Sequence, residues 1–202
     1  MPQSITSLRR TLRQRRNNIT PQDKARFDYS INQTFIQSGA FLRSSSIASY
    51  LANDGEPSVD FIIKSCTSIR RPHYLPVLNK RRLKFSSYSW GDKLKNNVFN
   101  IPEPDTTQSF SARFLTTILM PLVGFNQQGH RLGMGGGYYD RTLGFMLNLN
   151  CKNKPLLIGI AYSSQMHQEI THQPWDIPLD AVITEHGLIT FSTKAKQLLR
   201  AL

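Results

Sequence analysis

The feature that most constrains this chain is an uninterrupted apolar run, Ile118-Leu119-Met120-Pro121-Leu122-Val123. It is followed shortly by Gly129-His130-Arg131-Leu132-Gly133-Met134-Gly135-Gly136-Gly137-Tyr138-Tyr139-Asp140-Arg141. The length and flanks of the run fit a strand buried on both faces, as in a parallel sheet, and predict a strand over 117–125. The segment after the glycines predicts a helix over 138–149. Strand, glycine-rich turn and helix in that order form a unit of an open α/β sheet, where ligands sit beyond the carboxyl ends of the strands. Glycines let the backbone approach an anion closely and present several N–H donors together. No Gly-Lys-Ser/Thr follows, so the motif is not a Walker loop. Its glycine spacing also misses the dinucleotide pattern. Around it, Arg131 can make two hydrogen bonds to a phosphate, Asp140 can hold a hard divalent cation, and a tyrosine can stack on a flat heterocycle.

The rest of the chain alternates in the same way. Ile5, Leu8 and Leu12 share a helical face, and Arg9, Arg13 and Arg16 repeat that spacing beside them, over a helix from about 3 to 18. Thr20-Pro21 reads as an N-cap and first helical residue. That helix is expected to run to about Ser38, with Gly39 as its stop. Strands are expected at 46–51, 73–78, 82–89 and 156–161, a helix at 59–69, a loop at 90–110, and a terminal hairpin from 181–184 and 188–191. The expected fold is α/β: a three-layer domain with a mostly parallel central sheet flanked by helices. Two hundred and two residues suit one such domain, 1–202.

Charge narrows the partners. The net charge is +12, with 25 Lys and Arg against 13 Asp and Glu. The excess lies in two blocks. Residues 1–26 hold seven bases and Asp23, and residues 64–95 hold nine bases and Asp92. Anionic partners follow: a nucleic acid, a membrane surface or a small polyanion. Two cysteines, Cys66 and Cys151, exclude a disulfide framework or a four-cysteine zinc site and suit a reducing compartment. No run approaches transmembrane length, and the N-terminus lacks a signal-peptide core. His167 and His172 have no third ligand nearby. Trp90 and Trp175 are expected to pack rather than stack, and Asp180 to be structural.

The glycine motif, behind an apolar strand containing Pro121 and Phe125, resembles the signature of the 5-formyltetrahydrofolate cyclo-ligase family. The resemblance covers nearly the whole chain: Leu8-Arg9 in the basic first helix, Leu51 with Asp54-Gly55-Glu56, Tyr74-Leu75-Pro76-Val77, Ile101-Pro102-Glu103-Pro104, Gln165, and Trp175-Asp176-Ile177-Pro178-Leu179-Asp180. It implies a cytoplasmic enzyme that converts 5-formyltetrahydrofolate and MgATP into 5,10-methenyltetrahydrofolate, ADP and phosphate. The implied route phosphorylates the formyl oxygen before cyclisation. It also implies roles for residues. Arg9, Arg13, Arg131, Leu132, Gly133, Met134, Gly135, Gly136, Gly137, Tyr138 and Tyr139 would bind ATP, and Asp140 and Asp176 would hold Mg²⁺. Leu51, Glu56 and Gly135 to Tyr139 would bind the folate, and Arg131, Tyr139 and Asp140 would be catalytic. A monomer is expected, acting on folate that carries one or several glutamates, with no nucleic acid or membrane partner.

There are departures. Ile5 stands where the family often has lysine, and Met134 and Gly136 stand where basic residues are common, leaving Arg131 and Arg141 as the nearest cations. Thr116 and Asn126 occupy positions where aspartate is common. The alternatives are an RNA-binding protein using the two basic blocks and a sugar-phosphate isomerase on a related scaffold. The basic segment 1–26 has no aromatic residue for base stacking. An isomerase leaves Asp140 and Asp176 without a task.

Overall fold

A computed structural model describes residues 4–199; the first residue of the expected first helix lies outside them. Helix α1 (Ile5–Asn17) starts where the Ser4 side chain accepts from the Ser7 N–H. Helix α2 (Pro21–Ile36) starts as expected, with Thr20 capping Asp23 and Pro21 in the first turn. Gly39 is not a stop. It opens a short helix, α3 (Gly39–Arg43), capped by the Ser38 side chain, and α2 has already ended at Gln37.

The central sheet has the order β11-β10-β9-β6-β1-β2-β3. Its strands are β1 (Ile47–Ala48), β2 (His73–Asn79), β3 (Arg82–Ser87), β6 (Thr117–Pro121), β9 (Leu156–Ile160), β10 (Ala181–Thr184) and β11 (Gly187–Thr190). Neighbours from β10 through β9, β6 and β1 to β2 are parallel. Each edge is closed by an antiparallel strand, β3 on β2 and β11 on β10. This is the expected mostly parallel sheet.

The strands alternate between two cores, as the period of two demands. Leu119, Ile158, Ile160, Ala181 and Ile183 face a core shared with α2, α3, α4 (Asp60–Ser68) and the C-terminal helix α6 (Thr193–Leu198). Ile118, Met120, Leu157 and Val182 face the other core, with Leu143, Phe125, Ile177 and Leu179. That second layer is thin. Its main helix, α5 (Tyr138–Leu143), passes into a 3₁₀ turn at Gly144–Leu147 instead of running to 149.

Further expectations change, beginning with the strand expected over 46–51, which is only β1 (Ile47–Ala48). The strand expected over 117–125 is two pieces, because Leu122 and Val123 leave the sheet and β7 (Gly124–Phe125) pairs antiparallel with β8 (Arg131–Leu132). The expected loop 90–110 contains a small antiparallel pair, β4 (Leu94–Asn96) with β5 (Pro102–Pro104). Helix α6 was not legible as a separate element. The two tryptophans are not core: Trp175 is 63% exposed, and Trp90 lies under the Lys64 ammonium, 4.3 Å from its ring centre. Asp180 is structural as expected, accepting from the Leu157 N–H and the Ser192 hydroxyl.

Candidate active site

The carboxyl ends of the parallel strands open on one side of the sheet, and α1 lies over those of β1, β6 and β9, against the Asp54 turn, the Leu122 carbonyl and the 163–165 turn. Leu8 and Leu12 of α1 form a small core with Val123, Leu132 and Ile170. Gln165 fixes this floor, donating to the Leu122 and Val123 carbonyls at 2.8 and 3.0 Å and accepting from the Tyr162 N–H. Gly124 is needed there, because a Cβ would stand 2.6 Å from Leu12.

The glycine segment then folds over the end of α1. Arg9 Nε donates to the Gly133 carbonyl at 2.9 Å, and its guanidinium carbon lies 3.5 Å from where a Gly135 Cβ would be. Gly135 and Gly137 have φ of +97° and +61°, which L side chains adopt only with strain. Gly137 is the N-cap of α5. Two arginines brace the turn from within. Arg131, nearly buried, donates to the Ile177 carbonyl and pairs with Asp140 at 2.5 Å. Arg141 donates to the Gly136 carbonyl and, at 2.6 Å, to the Arg81 carbonyl.

The second wall is the turn after β1. Asp54 and Gly55 both have positive φ, the reverse-turn geometry that an Asp-Gly pair favours. Asn53 and Glu56 close it: the Glu56 N–H donates to the Asn53 carbonyl, and the Asn53 N–H donates to Glu56 Oε2. Asp54 gathers α1 onto this turn, accepting from Arg13 Nε at 2.8 Å, Arg16 Nη2 at 2.9 Å and Asn17. Burial pushes the Glu56 carboxyl up to about 7, against an opposing pull from Arg16. The Tyr139 hydroxyl is pushed up by burial and by the Glu56 charge, while Arg131 acts the other way. Helix α1 joins the two walls, with Arg9 on the glycine segment and Arg13 and Arg16 on the Asp54-Gly55-Glu56 turn.

Not every expected residue plays the part its position suggested. Arg13 is joined to Asp54 rather than to the glycine segment. The Leu132 side chain is buried in the floor, and Leu51 packs on the larger core. Met134 is 56% exposed. Asp140 is engaged by Arg131, and Asp176 accepts from the Gln173 N–H in the segment next to Ile177, so Arg131 links the two aspartate-bearing segments. Among the described residues no three His, Cys, Asp or Glu side chains gather as a metal site. As a donor type, carboxylate suits Mg²⁺, which commonly takes one or two carboxylates and completes its shell with phosphates and water. Asn126 braces the β7–β8 turn, accepting from the Gln128 and His130 N–H groups.

Two residues escaped the sequence reading. Arg16 leaves the arginine ridge and joins the buried stripe as its third member after Leu8 and Leu12, while Ile5, expected on that stripe, is 48% exposed. The four-residue spacing Leu8, Leu12, Arg16 was the available signal. Phe99, between β4 and β5, meets the Tyr138 ring edge-to-face with centres 5.9 Å apart. Nothing local in the sequence marks that contact. The second basic block also reaches the site, since the tip of the β2–β3 hairpin rests on α5 through Arg81–Arg141 and through the Leu83 N–H donating to Thr142. A cavity of about 270 Å³ lies there, lined by Asn79, Arg82, Lys84, Ser111 and Thr142 among others.

A model of the 5-formyltetrahydrofolate cyclo-ligase family matches residues 2–185. The 5-formyltetrahydrofolate cyclo-ligase of Haemophilus influenzae is 33% identical, over 88% of this chain and 95% of its own length. That of Escherichia coli K12 is 32% identical, over 86% and 96%. The solved 5,10-methenyltetrahydrofolate synthetase of Aquifex aeolicus superposes with a TM-score of 0.80 at 25% identity, covering 93% of this chain and 92% of that one. The Mycoplasma pneumoniae synthetase gives 0.70 at 28% identity, covering 91% and 99%.

Proposed function

The chain belongs to the 5-formyltetrahydrofolate cyclo-ligase family, and from that premise we propose that ATP and 5-formyltetrahydrofolate meet between its glycine segment and its Asp54-Gly55-Glu56 turn. The activity is conversion of 5-formyltetrahydrofolate to 5,10-methenyltetrahydrofolate with ATP as co-substrate. Family membership selects this reading over an RNA-binding protein or a sugar-phosphate isomerase.

The observation that carries the location is helix α1, whose Arg9 is hydrogen-bonded to the glycine segment while its Arg13 and Arg16 hold the Asp54 turn. In this reading the backbone from Gly133 to Tyr139 receives the phosphates, with Arg9 bringing a cation from α1. Glu56 accepts N–H donors from the pterin edge. Tyr138, Tyr139 and Phe99 supply ring surface, and Leu51 borders the pterin. A formamide oxygen leaves poorly and a phosphate leaves well, so transfer of the γ-phosphoryl group to the formyl oxygen prepares the carbon for attack by the N10 nitrogen. The protein's work is to position these groups and neutralise charge. Asp140 and Asp176 would hold Mg²⁺, which would neutralise phosphate charge. Arg131 then keeps Asp140 oriented and stands beside the phosphates as a second cation.

The same reading assigns the basic β2–β3 hairpin to the glutamate tail of the folate, with Arg82 and Lys84 beside the cavity. It makes the chain one catalytic unit in which α1 completes the nucleotide site. A cytoplasmic setting suits the two free cysteines, and among the described residues no helix is long and apolar enough to cross a membrane. The test is direct. Purified protein with 5-formyltetrahydrofolate, ATP and Mg²⁺ should develop the methenyl absorbance, and release of ADP should keep pace with it. Absorbance that develops equally without ATP would refute the reading.

A further inference from the structure

Arg16 is the only arginine of α1 that is buried, and its side chain is 1% exposed. Removing a guanidinium from water costs several kcal/mol unless partners replace the water. Here the partners come from the floor of the site and from its second wall. Nη1 donates to the Leu122 carbonyl at 3.2 Å, just past the carboxyl end of β6. Nη2 donates to the Asp54 carbonyl at 2.6 Å and to its carboxylate at 2.9 Å. Nη1 also stands 3.9 Å from Glu56 Oε1, and Nε has no partner.

Asp54 does not need all of this charge. Arg13 and Asn17 already bind its two carboxylate oxygens. Glu56 has no other cation paired with its carboxylate among the described residues. Lys24, from α2, donates to the Glu56 backbone carbonyl and to Asp28. Asp54 on its own turn raises the cost of a charge on Glu56, and the Asn53 N–H lowers it. Tyr139 from α5 and Tyr50 from the end of β1 are coupled to Glu56 and are neutral hydroxyls.

We propose that Arg16 is the positioning residue for the folate-binding carboxylate: it fixes the 53–56 turn against the end of β6 and supplies the countercharge that Glu56 carries into its contact with the pterin. This rests on the reading of Glu56 as a folate contact. It extends that reading to a residue that itself touches no reacting atom. The direction of the Glu56 shift agrees, because burial favours the neutral acid and Arg16 opposes it.

The test uses the full-length enzyme and three variants, Arg16→Leu, Arg16→Lys and Glu56→Gln. KM for each substrate is measured across roughly pH 6 to 9, where a carboxyl near neutrality changes charge. Arg16→Leu should raise the folate KM on the order of tenfold at neutral pH, the effect of about one unit in the carboxyl titration. The excess should shrink as pH rises and Glu56 ionises without help. The ATP KM should stay within a factor of about two, the scale of a few tenths of a kcal/mol. Arg16→Lys should restore most of the folate KM. As a readout independent of turnover, the Glu56 carboxyl ¹³C shift should titrate about one unit higher in Arg16→Leu.

A folate KM raised by the same factor at every pH, or an ATP KM rising in parallel, would reduce Arg16 to a seat for α1 and overturn the proposal. If Glu56→Gln raises the folate KM while neither Arg16 variant does, the proposal fails and the Glu56 reading stands. If Glu56→Gln leaves the folate KM unchanged, both fail. Should Arg16→Leu not fold, Arg16→Lys carries the test alone, since its shorter reach predicts a smaller excess with the same pH dependence.

Discussion

Arg9 and Gly133 are 124 positions apart in sequence and 2.9 Å apart in space, joined by a guanidinium-to-carbonyl hydrogen bond. This bond ties the first helix to the segment proposed to receive the phosphates. Arg9→Ala should raise the ATP KM about 10- to 100-fold, the equivalent of the ~1.5–3 kcal/mol typical of a charge-assisted bond. The folate KM should change far less. Lysine should recover only part of the loss, because an ammonium cannot hold a carbonyl and a phosphate in the planar fork of arginine. Steady-state kinetics with each substrate varied in turn decides it.

Asp140 and Asp176 should separate under mutation. Asp140→Asn removes a proposed metal ligand and also the partner of Arg131. It should lower kcat at least ~10-fold, cost stability on the order of 1 kcal/mol and raise the Mg²⁺ needed for half-maximal rate. Asp176→Asn disturbs only a bond to the Gln173 N–H in an exposed segment. It should raise the Mg²⁺ requirement with little change in melting temperature. Mg²⁺ titrations of rate beside thermal melts distinguish the two, and an unchanged Mg²⁺ requirement in both would remove the metal role.

Glu56 should make stability depend on pH. Its folded carboxyl titrates at about 7, above the ordinary value of 4.5, because burial penalises the charge. Between those two values the folded chain binds more protons than the unfolded chain. The contribution of this group is therefore fully present below about pH 4.5 and is lost as pH rises through about 7. Glu56→Gln should flatten this part of the profile and raise stability above neutral pH by on the order of 1–3 kcal/mol. Denaturant midpoints for the two proteins at about pH 5 and 8 measure it, and parallel profiles would refute it.

Two glycines should respond with opposite signs. At Gly137, φ is +61° and an added Cβ would stand 2.7 Å from Arg141 Nη1. Gly137→Ala should cost ~1–2 kcal/mol through the left-handed backbone and depress turnover by shifting the phosphate-facing segment. Gly144 has helical φ and ψ of −52° and −23° and open space around it. Gly144→Ala should stabilise by ~0.4–1 kcal/mol, chiefly by restricting the unfolded chain. Equal effects on melting temperature would contradict both arguments.

The basic hairpin gives a salt-dependent prediction. Arg82→Glu with Lys84→Glu should weaken binding of substrates with several glutamates more than of those with one. The difference should fade at high salt, as contacts between exposed charges are screened. Affinities by calorimetry at two ionic strengths test it. Equal losses for short and long tails would leave the hairpin a solubility feature.

Much of the scaffold could be read from the sequence because its signals are local. Thr20-Pro21 announces α2, and the run Ile118 to Pro121 is apolar on both faces because both faces are buried. The glycine segment was legible for the same reason, since positive φ at Gly135 and Gly137 is a demand on the residue itself. What could not be read depends on partners distant in sequence. Gly39 looks like a stop until Ser38 is seen capping the next helix. Arg16 looks like a surface cation until the Leu122 carbonyl and the Asp54 turn close around it. Arg13 looks like a phosphate contact until the Asp54 carboxylate is seen accepting its Nε. Phe99 sits among Asn and Pro, and only the return of β5 beside β4 brings it onto Tyr138.

The small floor under the site unites Leu8 and Leu12 with Val123, Leu132 and Ile170. During synthesis, therefore, the first helix leaves the ribosome long before its docking surface exists. A helix of 13 residues, rich in arginine, is marginal by itself in water. It must remain unformed or fluctuating until Val123, Leu132 and Ile170 have all been made. Substrate-binding competence is consequently acquired late and abruptly, when α1 folds back onto a surface that is complete only once Ile170 is in place.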